Sequence, residues 1–220
     1  MFKKQLIIRA SLLLLCVFAP VAEARAQAQP PEEMPKFEIG GHFSTLVMNA
    51  SATELGVGVR FTYNATRNLA FEAEGDLFPH DARTLSFRNG GRATEGLFGV
   101  KIGKRYERFG IFAKARPGLI SFTRGKFDLV QNGSGGVFPF DFRTERTTHF
   151  AFDVGGVLEF YPSRRIVTRF DAGDTIIRYG ATSAPLISGP DGGPFTILPL
   201  TVPGSTSHNF QITAGVGFRF

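Results

Sequence analysis

From Phe37 onward, apolar and polar residues alternate with a period of two, and turn-forming residues interrupt the alternation. Successive side chains of a strand point to opposite faces, so this period predicts strands with one apolar and one polar side. Eight are predicted. The first, Phe37 to Met48, sets Phe37, Ile39, Phe43 and Val47 against Glu38, Gly40, His42 and Ser44. The second, Thr53 to Tyr63, sets Leu55, Val57, Val59 and Phe61 against Glu54, Gly56, Gly58 and Arg60. The third, Asn68 to Phe78, opposes Leu69, Phe71, Ala73 and Leu77 to Glu72, Glu74 and Asp76. The fourth, Arg92 to Lys104, opposes Phe98, Val100 and Ile102 to Glu95, Gly99 and Lys101. In the fifth, Arg108 to Phe122, Ile111, Ala113, Ala115 and Leu119 oppose Lys114, Arg116 and Gly118, and Pro117 predicts a bulge. The sixth, Thr147 to Tyr161, sets Phe150, Phe152, Val154, Leu158 and Phe160 against Asp153, Gly155 and Glu159. The seventh, Arg165 to about Ile176, sets Ile166, Phe170 and Ala172 against Arg169, Asp171 and Gly173. The last, His208 to Phe220, sets Phe210, Ile212, Ala214, Val216, Phe218 and Phe220 against Gln211, Thr213, Gly215, Gly217 and Arg219.

The connections alternate in length. Those after the second, fourth and sixth strands are short. Those after the third, fifth and seventh are long, including Thr123 to Arg146 and roughly Arg178 to Ser207; the short one after the first strand breaks the rule. Pro185, Pro190, Pro194, Pro199 and Pro203 speak against two further membrane strands in the last loop, leaving ten strands as the alternative count.

Alternation does not say which face is wet. The glycines do: Gly56, Gly58, Gly99, Gly110, Gly118, Gly155, Gly173, Gly215 and Gly217 share the charged parity. Eight strands enclose a narrow interior, where small residues make room for long charged ones, whereas outward glycines would only weaken the strands. The fold class is therefore all-β, an eight-stranded antiparallel up-and-down transmembrane β-barrel with its apolar face toward lipid. The inward set is a lumen charge network of Glu54, Arg60, Glu72, Glu74, Asp76, Glu95, Lys101, Lys114, Arg116, Asp153, Glu159, Arg169, Asp171 and Arg219. Buried charge is costly unless paired, so interlaced ion pairs are expected to plug the barrel. An aromatic belt is expected at the ends, with Tyr63, Tyr106 and Tyr161 at one and Tyr179 at the other. It would consist mostly of Phe, since the chain has 24 Phe and no Trp.

The N-terminal segment differs from the rest. Lys3, Lys4 and Arg9 precede the apolar run Leu12 to Ala19, followed by small-residue sites at Ala22–Ala24, Ala24–Ala26 and Ala26–Ala28. This is a secretory signal pattern, too short for a membrane helix. Cleavage is expected after Ala26, with the other two registers as alternatives. The expected organisation is a signal at 1–26, a Pro-rich periplasmic leader at 27–36 and a barrel at 37–220. Cys16, the single cysteine, lies in the signal, so the remainder has neither a disulfide nor a Cys-based metal site. The chain has 25 Lys and Arg against 19 Asp and Glu; Lys3, Lys4, Arg9, Arg25 and Glu23 belong to the signal, leaving 21 against 18, or +3. That is too mild to indicate a nucleic-acid partner.

The last strand, with Gly215-Val-Gly-Phe-Arg-Phe220, resembles the C-terminal strand of bacterial outer-membrane β-barrels. Together with strand–turn phrases such as Gly156-Val-Leu-Glu-Phe-Tyr-Pro162, it makes the chain resemble the small OmpA/OmpX-like, porin-like barrels. The resemblance implies an outer-membrane location and a C-terminal insertion signal at Val216, Phe218 and Phe220 read by the barrel-assembly machinery. It also implies outer-membrane lipid and lipopolysaccharide as surroundings. It implies little about a specific task.

Chemistry-bearing motifs are sparse. His42-Phe43-Ser44 has the His-x-Ser spacing that similar lipid A deacylases use, and both polar residues share a face, but no acidic partner can be placed and the positions read as lumen fillers. His149 and His208 lie near strand ends and His80 in a loop, without metal-motif spacing. Asn49-Ala-Ser51, Asn64-Ala-Thr66 and Asn132-Gly-Ser134 match a glycosylation pattern incidentally, and Gly133 to Gly136 lack the Lys and helix of a phosphate loop. Phe138-Pro-Phe-Asp-Phe142 beside Arg143 and Arg146 reads as a strand extended past the membrane, or as a contact patch for a surface partner. The expected role is structural or loop-mediated surface interaction, with no catalysis, cofactor or metal. A narrow porin is the alternative, and a lipid A-modifying enzyme a more distant one.

Overall fold

The structure, a computed structural model, describes residues 34–48, 52–82, 90–131, 140–188 and 196–220. The expected signal and most of the expected leader lie outside the described residues. Ten strands are present: β1 (Phe37–Met48), β2 (Ala52–Asn64), β3 (Leu69–Ala82), β4 (Gly91–Arg105), β5 (Phe109–Gln131), β6 (Phe140–Phe160), β7 (Ile166–Tyr179), β8 (Thr182–Ser188), β9 (Thr196–Val202) and β10 (Ser205–Arg219). Eight close into an antiparallel barrel in the order β1-β10-β7-β6-β5-β4-β3-β2, while β8 and β9 form a separate two-stranded sheet. The eight-stranded barrel fold class expected above is the one observed.

Closure joins the first strand to the last. Their pairing runs from Glu38↔Arg219 to Met48↔Asn209, and Phe37 and Phe220 exchange two backbone hydrogen bonds of 2.9 Å. A closed ring has no free edge strand, so every barrel strand has a hydrogen-bonded neighbour on both sides.

Register turns the period-two pattern into two surfaces. Outward lie Phe43, 75% exposed, Val59, 68%, Leu55, Phe98, Ile111, Leu119, Phe210 and Val216. Inward lie the charged and small residues. At the end holding Phe37 and Phe220, Phe37 packs its ring on Phe61, Tyr63 and Phe220 at 5.4–6.0 Å, and Tyr106 stacks on Phe109 at 4.6 Å. Tyr63 and Tyr106 thus stand in an exterior aromatic rim. The other two tyrosines do not, as the lumen will show.

Three expectations change. Pro117 interrupts the β4–β5 pairing between Leu97↔Gly118 and Val100↔Ala115, yet the register on either side is the same, so no residue is inserted and there is no bulge. The missing N–H removes a bond without adding chain length. Register shifts occur instead at the rim, between Phe78 and Ala82 and between Phe122 and Lys126. Second, Thr123 to Arg146 is not a loop throughout: β5 and β6 continue as a paired arm from Lys126↔Glu145 to Gln131↔Phe140. Third, the last long connection contains the β8–β9 hairpin, in which Pro185 and Pro199 are paired. Proline keeps this pair out of the barrel but not out of a two-stranded ribbon.

Close backbone approach sets one glycine pair. Gly155 and Gly173 face each other across β6 and β7, and a Cβ on Gly155 would stand 2.3 Å from the Ala172 carbonyl oxygen and 2.6 Å from the Gly173 Cα. Gly156, one residue on and facing outward, would meet no atom within 4 Å. Gly155→Ala therefore forces a backbone shift costing about 1–3 kcal/mol, whereas Gly156→Ala costs little; urea unfolding midpoints of the two refolded variants measure the difference.

Candidate functional site

The inward side chains stack in layers along the barrel axis. Near the chain-terminal end, Arg219 donates to Glu38 at 3.2 Å, and Asn64 donates to the same carboxylate at 2.9 Å. Arg105 reaches Asn64 at 3.2 Å, Glu159 at 3.3 Å and the Tyr161 hydroxyl at 2.8 Å. Tyr161 in turn donates to Glu159 at 2.7 Å and receives the Arg219 guanidinium on its ring face at 4.5 Å. Tyr161 therefore closes the lumen floor rather than joining the exterior belt, because its hydroxyl has ionic partners inside.

Above the floor lies an ionic belt. Arg169 of β7 grips Glu72 of β3, on the opposite wall, through both terminal nitrogens and holds Asp171 at 2.6 and 2.9 Å. Lys101 of β4 pairs with Glu159 and, at 3.2 Å, with Glu72. Arg116 of β5 binds Asp153 at 2.7 and 2.8 Å and Glu74 at 2.7 Å. Arg60 bridges Glu74 at 3.1 Å and Asp171 at 3.4 Å, and Lys114 lies 3.0 Å from Asp153 and 3.6 Å from Asp171. Each cation thus ties together strands that are not neighbours in the wall. Buried pairs of this kind hold only where every charge meets partners in good geometry.

All fourteen residues of the expected lumen network are buried: Glu54, Arg60, Glu72, Glu74, Asp76, Glu95, Lys101, Lys114, Arg116, Asp153, Glu159, Arg169, Asp171 and Arg219. They do not form one network. Glu54 lies at the rim, 3.1 Å from the exposed His80. Asp76 and Glu95 stand apart from the belt, and among the described residues neither has a Lys or Arg within ion-pair distance. Glu38 and Arg105 join the network and were missed: Glu38, though set on the polar face of the first strand, was left out of the charge network, and Arg105 lies one residue past the predicted fourth strand. Among the described residues, nine buried carboxyl groups (Glu38, Glu54, Glu72, Glu74, Asp76, Glu95, Asp153, Glu159, Asp171) face seven Lys and Arg groups (Arg60, Lys101, Arg105, Lys114, Arg116, Arg169, Arg219).

The upper layers are polar and then apolar. Gln211 of β10 donates to Ser44 at 3.0 Å and crosses to Glu95 of β4 at 3.2 Å, and Thr175 donates to the Gln211 carbonyl. Above them Leu46, Met48, Phe78, Ile120, Phe122, Ala151, Ile177 and Tyr179 pack as one buried cluster inside the barrel. Interlaced ion pairs were expected to plug the barrel, and this apolar cap lies above them. Its signal was present: Leu46, Phe78, Ile120 and Phe122 continue the parity of His42, Asp76 and Arg116. Tyr179, expected in the outer belt, faces inward and packs on His149 at 4.7 Å. The cap excludes water from the layers below, where a lower local dielectric strengthens each paired charge.

The His-x-Ser pair is resolved by the same geometry. His42 Nε2 lies 2.8 Å from Asp76 Oδ1, the acidic partner that spacing could not supply. The Ser44 hydroxyl, however, accepts from Gln211 rather than facing the imidazole. Ser44 is 1% exposed, beneath the apolar cap and inside a closed wall, where a lipid substrate does not reach. Of the other histidines, His208 bonds Asp174 at 2.6 Å on the exposed face. The segment Phe138-Pro139 lies outside the described residues, and Phe140 to Phe142 begin β6, as the extended-strand reading has it.

The chain is a closed eight-stranded antiparallel barrel, and it is similar to small outer-membrane barrels among solved structures. Neisserial surface protein A shares 11% identity with it, over 84% of this chain and 96% of that one, at a TM-score of 0.45. Ail, the attachment invasion locus protein of Yersinia pestis, shares 14% over 84% and 96%, at 0.40. The outer membrane protease OmpT of Escherichia coli shares 10% over 84% and 96%, at 0.40. At these identities the likeness is one of fold. No protein-family model matches the sequence, and no curated protein does.

The belt has a measurable consequence. Arg169→Met strips Glu72 and Asp171 of their shared partner, leaves Glu72 to Lys101 and Asp171 to Arg60, and lowers stability by about 3–5 kcal/mol. Arg124→Met removes an exposed pair with Asp81 and costs no more than about 1 kcal/mol. Equilibrium urea unfolding of both variants reads the contrast.

Proposed function

We propose that this protein is an integral outer-membrane β-barrel with a plugged lumen, acting in the structure of the envelope or through the connections at the rim opposite Phe37 and Phe220. One observation carries the reading: the wall is closed, its outward face is apolar around the circumference, and its charged side chains are turned inward, most of them in ion pairs. Such a surface is stable against hydrocarbon and unstable in water. Outer-membrane lipid and lipopolysaccharide are the surroundings that fit it. Val216, Phe218 and Phe220, on the lipid face of the seam strand, are the proposed contact for the barrel-assembly machinery. The β5–β6 arm, whose Lys126 lies between Asp128 at 2.9 Å and Glu145 at 3.6 Å, and the β8–β9 hairpin are the elements offered to a surface partner.

A plugged rather than conducting lumen is supported by the struts that cross it and the apolar cap above them. In outer-membrane fractions the folded protein is expected to resist SDS until boiled, giving a heat-dependent gel shift. Refolded into planar bilayers, it passes no steady current; steady open-channel conductance at moderate voltage would make it a narrow porin instead. Recovery in the soluble periplasmic fraction would overturn the membrane reading. Orientation toward lipid makes a graded claim as well: Val59→Arg, near the middle of β2, costs about 2–4 kcal/mol in lipid vesicles, and Tyr63→Arg, at the aromatic rim, about 0–1 kcal/mol, both read by denaturant titration.

A further inference from the structure

Register lays four residues in one row across the wall: His42 pairs with Gly58, Gly58 with Asp76, and Asp76 with Glu95. Asp76 and Glu95 are thus carboxyl groups directly opposite each other, an arrangement that destabilises a sheet when both are ionised. Both are buried, and no Lys or Arg of the described residues pairs with either. Their hydrogen bonds are also incomplete: His42 takes one oxygen of Asp76 and Gln211 one of Glu95. Asp76 Oδ2, Glu95 Oε1, Glu74 Oε1 and His42 Nδ1 remain buried without a partner. Buried polar atoms left unsatisfied beneath an apolar cap are costly unless something else binds them.

The donors needed for that are already gathered. One ring nitrogen of His42 and one oxygen each of Glu74 and Asp76 lie within 4.8 Å of one another, all buried. Ligand bonds of about 2.0–2.2 Å bridge such a spread after a small side-chain movement. Gly58 keeps the space open, for a Cβ there would stand 2.3 Å from His42 Nε2 and 2.6 Å from Asp76 Oδ1. An imidazole with carboxylates suits zinc among the common divalent cations; calcium and magnesium take oxygen alone.

We infer that His42, Glu74 and Asp76 form a zinc site in the lumen, with Glu95 beside it. The ion would tie β1 to β3 across Gly58 and give the unpartnered oxygens of Glu74 and Asp76 a ligand bond. Because the wall and cap seal the site, the ion enters as the barrel folds.

The test is to refold the full chain in detergent with zinc chloride or with EDTA, dialyse, and measure bound zinc by mass spectrometry. The zinc-refolded protein is expected to retain about one equivalent that EDTA removes slowly, and its cobalt form to absorb in the visible. His42→Gln and Asp76→Asn, each checked by the heat-dependent gel shift, are expected to bind about tenfold less or weaker still. Full retention in either folded variant overturns the site, as does a wild-type protein that keeps no zinc and shows no cobalt band. Should the lumen variants fail to fold, His80→Ala/His208→Ala, which removes the exposed histidines, decides: retained zinc supports the site, and lost zinc assigns binding to the surface and overturns it.

Discussion

Everything inside this molecule follows from the width of a ring of eight strands. Such a ring leaves room for side chains and almost none for bulk water, so each inward polar atom must find its partner among the other inward atoms. The result is a lattice of guanidinium, ammonium and carboxylate groups in which Arg169 spans the barrel to Glu72 and Arg116 ties Asp153 to Glu74. Branched, multidentate arginines dominate because a planar fork satisfies two carboxylates at once. The glycines serve the same constraint: where Gly155 meets Gly173 the wall is thinned so that long side chains can lie across the axis.

The layering modifies the simplest picture of a polar-filled barrel. Ionic groups occupy the floor and middle, amides and hydroxyls the next level, and aliphatic and aromatic groups the rim below the long connections. This order is an electrostatic device as much as a packing one. Apolar groups above the ions keep the local dielectric low, which makes correct pairs stronger and an incomplete one more costly. The Asp76–Glu95 row is the place where pairing is incomplete, and it sits directly under the cap.

Strand order, closure and the orientation of nearly every side chain were legible in the sequence, because period-two alternation converts to a face assignment once the ring is closed. What was not legible depended on contacts distant along the chain. Asp76 could not be matched to His42 until two registers placed them on either side of Gly58. Tyr161 and Tyr179 looked like belt residues because an aromatic at a strand end says nothing of which way it points; Glu159 and Arg105 decided the first, and the His149 ring the second. Prolines argued correctly against two more barrel strands, yet could not exclude a hairpin outside the barrel. The Pro117 bulge failed because a lost donor need not lengthen a strand.

The seam between β1 and β10 carries a kinetic consequence. Every other neighbouring pair in the wall is joined by a connection that can close early, whereas Glu38↔Arg219 unites residues from the two extremes of the domain. Its loop-closure entropy is the largest in the molecule, and such long-range contacts slow folding. Seam formation therefore comes last, after the hairpins have assembled, and until it forms two strand edges stand open at once.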